Sequence, residues 1–235
     1  KPKGTCWVNM GDTYNGNKTG YTDTNKNGKI PSENLIKKKS SKELKEKTLC
    51  SIPARFSIEM CDRGWILRNE IIWYKPNVMP QSVKDRFTVD FEKIFFFVKN
   101  KKYWFETQYE PHESQPHKYN GSKYKSIGKT SRAESDGSEF YNPQGRNKRS
   151  VWKISTRPYK ESHFATFPES LIVTPIKAGC PENGIVLDPF MGAGTTGVVA
   201  LKLNRNYIGI ELNPEYIELA EKRIEPYKQQ TKLFA

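Results

Sequence analysis

Apolar residues in this chain gather into short runs separated by long polar stretches. Thr5 to Met10 alternates in character and predicts a strand. Ile52, Phe56, Met60 and Cys61 recur at helical spacing within Leu49 to Arg63, which predicts a helix closed by Gly64. Trp65 to Tyr74 reads as a second strand. Glu92 to Lys99 has almost no polar break, so it predicts a strand buried on both faces. Val151 to Ile154 is a short strand. Residues 168 to 178 form a helix with Pro168 in its first turn and Gly179 at its end. Ile185-Val186-Leu187 predicts a buried strand that Asp188-Pro189 stops, because proline gives no N–H to a ladder. A helix runs on through Val198, Val199, Ala200 and Leu201, capped by Thr195 or Thr196. Tyr207 to Ile210 is the next strand. Asn213-Pro214-Glu215 caps a final helix to Ile224, with Ile217, Leu219, Ala220 and Ile224 inward. Alternation of strands and helices places the chain in the α/β class.

The most informative stretch is Gly184 to Asn213, GIVLDPFMGAGTTGVVALKLNRNYIGIELN. It orders strand, glycine loop, helix, strand and acid, which is half of a Rossmann-type unit. Gly192 and Gly194 let a loop turn sharply and pass close to a ligand. Glu211 follows about 20 residues later, where such units place the carboxylate that holds a ribose hydroxyl pair. Gly197 completes a GxGxxG spacing, so spacing alone leaves a dinucleotide open as the ligand.

Composition adds a partner class. The 235 residues carry a formal net charge of +13. That excess suits a polyanion, most simply nucleic acid, although basic residues also serve solubility alone. No apolar run approaches the ~18 residues of a membrane span, and no signal-peptide core follows Lys1-Pro2-Lys3-Gly4. Cys6, Cys50, Cys61 and Cys180 lack disulfide-framework spacing and read as reduced, intracellular thiols. Residues 15–48 are rich in Asn, Lys and Gly and read as a polar insertion. Asp23 to Ile30 fits the first positions of a calcium loop, but the twelfth position is Asn34 and Glu33 falls one residue early. Residues 100–148 interleave basic residues with Tyr103, Trp104, Tyr109, Tyr119, Tyr124, Phe140 and Tyr141, a composition suited to phosphate contact and base stacking. His112 and His117 have no cysteine pair at zinc spacing, and no metal site is expected.

Asp188-Pro189-Phe190-Met191-Gly192-Ala193-Gly194-Thr195-Thr196 resembles the S-adenosylmethionine-binding motif of the amino-group DNA methyltransferases, which methylate cytosine N4 or adenine N6. Further blocks resemble the same family: Lys1 to Tyr14, Arg68 to Arg86 with Glu92 to Lys99, and His163-Phe164-Ala165-Thr166-Phe167-Pro168. The resemblance covers the chain apart from residues 15–48 and 100–145. It implies a Rossmann-like, S-adenosylmethionine-dependent methyltransferase sheet with an inserted DNA-recognition region and its N-terminal strands missing. Residues 1–99 would belong to the core, 100–148 to target recognition, and 149–235 to the cofactor-binding part of the core. The cofactor contacts implied are Asp188, Pro189, Phe190, Gly192, Gly194, Thr195, Thr196, Glu211, Asn213, His163 and Thr166. The DNA contacts implied are Lys75, Asn77, Ser82, Lys84, Arg86, Arg146, Lys148 and Arg149.

The family's catalytic segment, Asp/Asn/Ser-Pro-Pro-Tyr/Phe, has no counterpart, since no Pro-Pro dipeptide occurs. The expectation is that it precedes Lys1, in a portion on the order of one βαβ unit. That portion would supply the strand beside the glycine-loop strand. Residues 1–235 alone are then expected to be incompletely folded or complemented by another segment. The expected activity is methyl transfer to a flipped base, with cytosine N4 favoured over adenine N6 on the Arg68 to Arg86 likeness. The expected partners are double-stranded DNA and a cognate restriction endonuclease, in the cytoplasm and without a membrane; oligomeric state is not legible in one chain. A non-catalytic binding remnant and an NAD-dependent enzyme are the competing readings.

Overall fold

The computed structural model describes residues 3–15, 44–112, 142–156 and 167–232. In chain order the elements are β1 (Thr5–Met10), α1 (Ile52–Asp62), β2 (Ile66–Tyr74), β3 (Phe91–Val98), β4 (Tyr109–Glu110) and β5 (Arg146–Asn147). There follow β6 (Val151–Lys153), α2 (Glu169–Gly179), β7 (Ile185–Asp188), α3 (Thr195–Lys202), β8 (Asn206–Gly209) and α4 (Pro214–Lys232). The chain divides into two units, Lys1–Tyr103 with Val151–Thr156, and Trp104–Ser150 with Arg157–Ala235. Residues 16–43, with the calcium-like stretch, lie outside the described residues, as do His117, Tyr119, Tyr124, Phe140 and Tyr141.

The first unit is built on β3. Its sheet has the order β1-β3-β2-β6. β3 runs antiparallel to both β1 and β2, and β6 pairs parallel to β2. Ile94 to Val98 are all buried, so the unbroken apolar run does mark a strand covered on both faces. Phe95 and Phe97 face α1, where Phe56 meets them at ring-centroid distances of 6.3 and 6.2 Å. Phe96 on the opposite face stacks on Trp7 at 4.2 Å and meets the edge of Tyr103 at 5.8 Å.

α1 starts later than its pattern suggested and turns a different stripe inward. Ile52 and Cys61 are exposed, whereas Pro53 and Ser57 are buried beside half-buried Phe56 and Met60. The start is set from a distance: Asp12, in the turn after β1, accepts a hydrogen bond from the Ile52 N–H at 3.1 Å. Pro53, which gives no N–H, sits in the first turn. Gly64, at φ 81°, closes the helix.

The second unit holds the parallel pair β7–β8, the short ribbon β4–β5, and α2, α3 and α4. α2 has Pro168 as its N-cap rather than in its first turn, and Gly179 is its last residue. The expectation of a buried strand at Ile185-Val186-Leu187 needs correction: Ile185 and Leu187 are exposed. Val186 lies in register with Tyr207, whose ring lies close to Gly197 of α3. Val186 therefore shares the α3 side of the pair, and Ile185 and Leu187 take the other side, with Ile208. Among the described residues that side is uncovered and β7 pairs with β8 alone.

α4 runs through Pro226 to Lys232 rather than ending at Ile224. Tyr227 accounts for the extension. It packs on the cluster of Met191, Val198, Ala220 and Ile224, and the Lys202 ammonium lies 4.9 Å from its ring centroid. Ile217, expected inward, is exposed, while Ala220 and Ile224 are buried.

Truncating Phe97 to alanine is expected to lower the unfolding free energy by about 3–5 kcal/mol. Urea denaturation followed by circular dichroism checks this; a loss well under 1 kcal/mol would contradict the two-sided burial of β3.

Candidate cofactor and nucleic-acid site

The loop between β7 and α3 is held by two carboxylates from the ends of parallel strands. Asp188 Oδ1 accepts the Phe190 N–H at 2.9 Å, and its Oδ2 accepts the Thr196 hydroxyl at 2.5 Å. One side chain thus ties the strand end to the start of the helix. Glu211, just beyond β8, accepts the Gly192 N–H at 2.8 Å through Oε2. Its Oε1 accepts the N–H groups of Leu212 and Asn213 at 2.9 and 3.0 Å. Glu211 was expected at a ribose; here its carboxylate shapes the loop.

The helix cap differs from expectation. Gly194 is the N-cap of α3, at φ 79°, and neither threonine side chain caps it. Thr196 is committed to Asp188, and Thr195 Oγ1 accepts from Arg223 at 3.3 Å. Gly192 and Gly194 both have positive φ, which L side chains adopt at a cost. Gly197 has a different reason. A Cβ there would lie 2.7 Å from both Met191 Cε and Ile224 Cδ1, so its absence lets α3 sit close to the core. The first-turn N–H groups of α3, on Thr195 to Gly197, have no carbonyl of their own helix to bond.

Pattern reading missed Arg223. Its guanidinium, on α4, donates to the Ala193 carbonyl at 2.5 Å and so anchors the crest of the loop. An arginine on a polar helix face gives no local signal of such a contact. Met191 turns inward and is buried, whereas Phe190 is 87% exposed beside the loop. Pro189 is exposed. Asn213 Oδ1 accepts the Glu215 N–H at 3.0 Å and caps α4 as expected. His163 and Thr166 lie outside the described residues.

The basic residues expected at DNA fall into two groups. In the first unit, Lys75 is ion-paired with Glu92 and lies 4.3 Å over the Trp73 ring. Asn77 donates to the Thr156 carbonyl and accepts the Thr156 N–H, both at 2.9 Å. That reciprocal pair clamps the loop after β2 to the end of β6, where Trp73 Nε1 also donates to the Ile154 carbonyl at 2.8 Å. Arg86 donates to Gln81 Oε1 at 2.8 Å and lies 4.2 Å over the Tyr14 ring. Ser82 and Lys84 stand exposed on the same loop.

In the second unit, Arg146 and Arg149 converge on Glu110, each Nε at 2.9 Å from Oε1. Burial works to raise the Glu110 pKa, but the two guanidinium groups outweigh it and hold the carboxyl below its ordinary value. Gly145, at φ 111°, permits the ribbon, since a Cβ there would lie 2.2 Å from the Glu110 carbonyl oxygen. Lys148 is exposed beside them. Glu110 was not singled out by sequence, because its partners lie 36 and 39 residues away.

A carboxylate with a depressed folded-state pKa stabilises the fold above its unfolded value, about 4.3 for glutamate, and loses that contribution as pH falls through the folded value. The second unit should therefore lose stability at its acid limb through Glu110. In Glu110→Gln this part of the acid limb disappears. Thermal unfolding of both proteins from pH 7 down to pH 3 checks it, and parallel curves would contradict it.

Residues 1–222 match the profile of the N6/N4 family described as DNA methylase. The chain is 39% identical over 223 residues to the Type II methyltransferase M.Cfr9I of Citrobacter freundii, covering 94% of this chain and 65% of that protein. It is 38% identical over 225 residues to the Type II methyltransferase M.SmaI of Serratia marcescens, covering 95% of this chain and 68% of that one. Among solved structures, the M1.HpyAVI–SAM complex is similar at TM-score 0.51 and 27% identity over 73% of this chain and 68% of its own. The fold of the cytosine-N4-specific PvuII DNA methyltransferase matches at TM-score 0.60 and 18% identity, over 97% of this chain and 69% of its own. The chain spans 65% of the length of M.Cfr9I and of M.XycI from Xanthomonas campestris pv. cyanopsidis. With the strand–glycine loop–helix–strand–acid unit in place and the family profile matched through residue 222, this chain belongs to the N6/N4 DNA methylase family.

Proposed function

We propose that the protein, through this chain, binds S-adenosylmethionine at the β7–α3 loop and transfers its methyl group to an exocyclic amino group in double-stranded DNA. Cytosine N4 is favoured over adenine N6, on the Arg68 to Arg86 likeness. The observation that carries the reading is the glycine loop fixed from both strand ends by Asp188 and Glu211. When bound, S-adenosylmethionine supplies an activated methyl on its sulfonium. Its charged and polar groups suit the donors here: α3 first-turn N–H groups for a carboxylate, and Glu211 for ribose hydroxyls. Phe190, 87% exposed beside the loop, offers an apolar wall.

Transfer to an amine needs the methyl carbon held in line with the nitrogen and the base taken out of the duplex. The stapled loop serves the first requirement by fixing the donor in one place. Lys84, Arg86 and Lys148 supply cationic surface for the second partner, in keeping with the net charge of +13. Residues 100–148 carry target recognition in this reading, and a cognate restriction endonuclease is the companion activity, in the cytoplasm where DNA and donor meet. No helix among the described residues is long and apolar enough to cross a membrane.

A non-catalytic binding remnant is the second reading. Tritium transfer from labelled S-adenosylmethionine to unmethylated duplex DNA, followed by nucleoside analysis, separates the two. Label in N4-methylcytosine is expected; label in N6-methyladenine would correct the base, and cofactor binding without label would favour the remnant. Asp188→Ala removes two charge-assisted bonds of about 1.5–3 kcal/mol each. It is expected to raise the dissociation constant for S-adenosylmethionine by at least roughly tenfold, measured by calorimetry. Unchanged affinity would contradict the role given to the loop.

A further inference from the structure

The loop joining β2 to β3, residues 75–90, presents apolar side chains outward. Phe87 is 95% exposed, Met79 is 83% exposed, and Val83 is also exposed. A phenylalanine left wholly in water forgoes the free energy of its burial, and the three lie close together in sequence on one loop. The loop is braced all the same. Arg86 is held between the Tyr14 ring at 4.2 Å, Gln81 Oε1 at 2.8 Å and the Phe87 carbonyl at 3.2 Å. Asp85 pairs with Lys47 at 2.7 Å, and Lys75 pairs with Glu92 at the loop's start. The neighbour on the chain thus grips the Phe87 backbone while its ring stands exposed among the described residues.

We propose that Phe87 is a wedge that enters the base stack of duplex DNA, with Met79 lying against the opened step. This rests on the DNA reading above and deepens it. DNA is the occupant that fits. An apolar tip flanked by Lys84 and Arg86, with the loop's acid Asp85 neutralised by Lys47, on a chain of net charge +13, matches a base stack lying between two rails of phosphate. A ring inserted between bases fills space that a displaced base leaves, and an amine inside the duplex is reached only when its base is displaced. The cation–π contact and hydrogen bonds of Arg86 fix where the ring enters, so Arg86 acts as a positioning residue for Phe87.

The experiment uses the full-length protein. The methylated position is first mapped by sequencing its product DNA. A duplex then carries 2-aminopurine next to that position, and its fluorescence is followed on binding. The unaltered protein is expected to raise the fluorescence several-fold. Phe87→Ala should lose most of the rise and weaken DNA binding about tenfold or more, with S-adenosylmethionine affinity and melting temperature unchanged. Phe87→Leu, which keeps an apolar wedge, should recover much of the rise. The proposal is overturned if Phe87→Ala opens the duplex like the unaltered protein. It is equally overturned if that variant's loss is of melting temperature or self-association, since Phe87 would then be covered by protein. Absence of DNA binding by the unaltered protein would instead remove the DNA reading itself, and the wedge with it.

Discussion

A buried or half-buried backbone amide must find an acceptor, and that constraint shapes the glycine loop. The chain leaves β7 and enters α3 through residues that form no regular ladder. Carboxylates and scattered carbonyls meet their N–H groups: Asp188 takes Phe190 and Glu211 takes Gly192, while the Ile210 carbonyl takes Met191 and the Met191 carbonyl takes Gly194. Both acids stand at the carboxyl ends of adjacent parallel strands, where two βα connections open side by side. Arg223 fixes the Ala193 carbonyl from the third side. The loop is thus held from three sides by contacts within the fold.

The glycines follow from the same geometry. Gly194 caps α3 with a left-handed backbone, which leaves the threonine hydroxyls for other work. Thr196 spends its hydroxyl on Asp188, and Gly197 lets the helix approach Met191 and Ile224. Loop, helix and the cluster beneath them therefore form one packed object. A change at Ala220 or Ile224 would be felt at the loop through van der Waals contact.

Charge is used in two ways. Some cations are spent internally: Lys75 on Glu92, and Arg146 and Arg149 on Glu110. Lys84 stands exposed. Exposed pairs contribute little to stability; Glu110, half-buried and held below its ordinary pKa by the two arginines, is expected to matter at acid pH. The arginines and Glu110 also fasten the ribbon from which residues 111–145 depart.

Local pattern determined much of this protein. β1 was legible as a strand, although its burial does not alternate, and the two-sided burial of β3 was legible because an unbroken apolar run reports directly on what a strand's faces meet. The glycine loop and its following acid were legible because φ restrictions and chain spacing are local. Tertiary structure alone decided what depends on a partner far along the chain. Asp12 moved the start of α1, Tyr227 carried α4 through Pro226, and Ile185 and Leu187 proved exposed. Contacts made within the fold were hidden for the same reason. Asn77 clamps Thr156, Glu211 holds loop amides, and Glu110 gathers two arginines. A sequence states which groups can donate or accept; only the folded chain decides which of them meet.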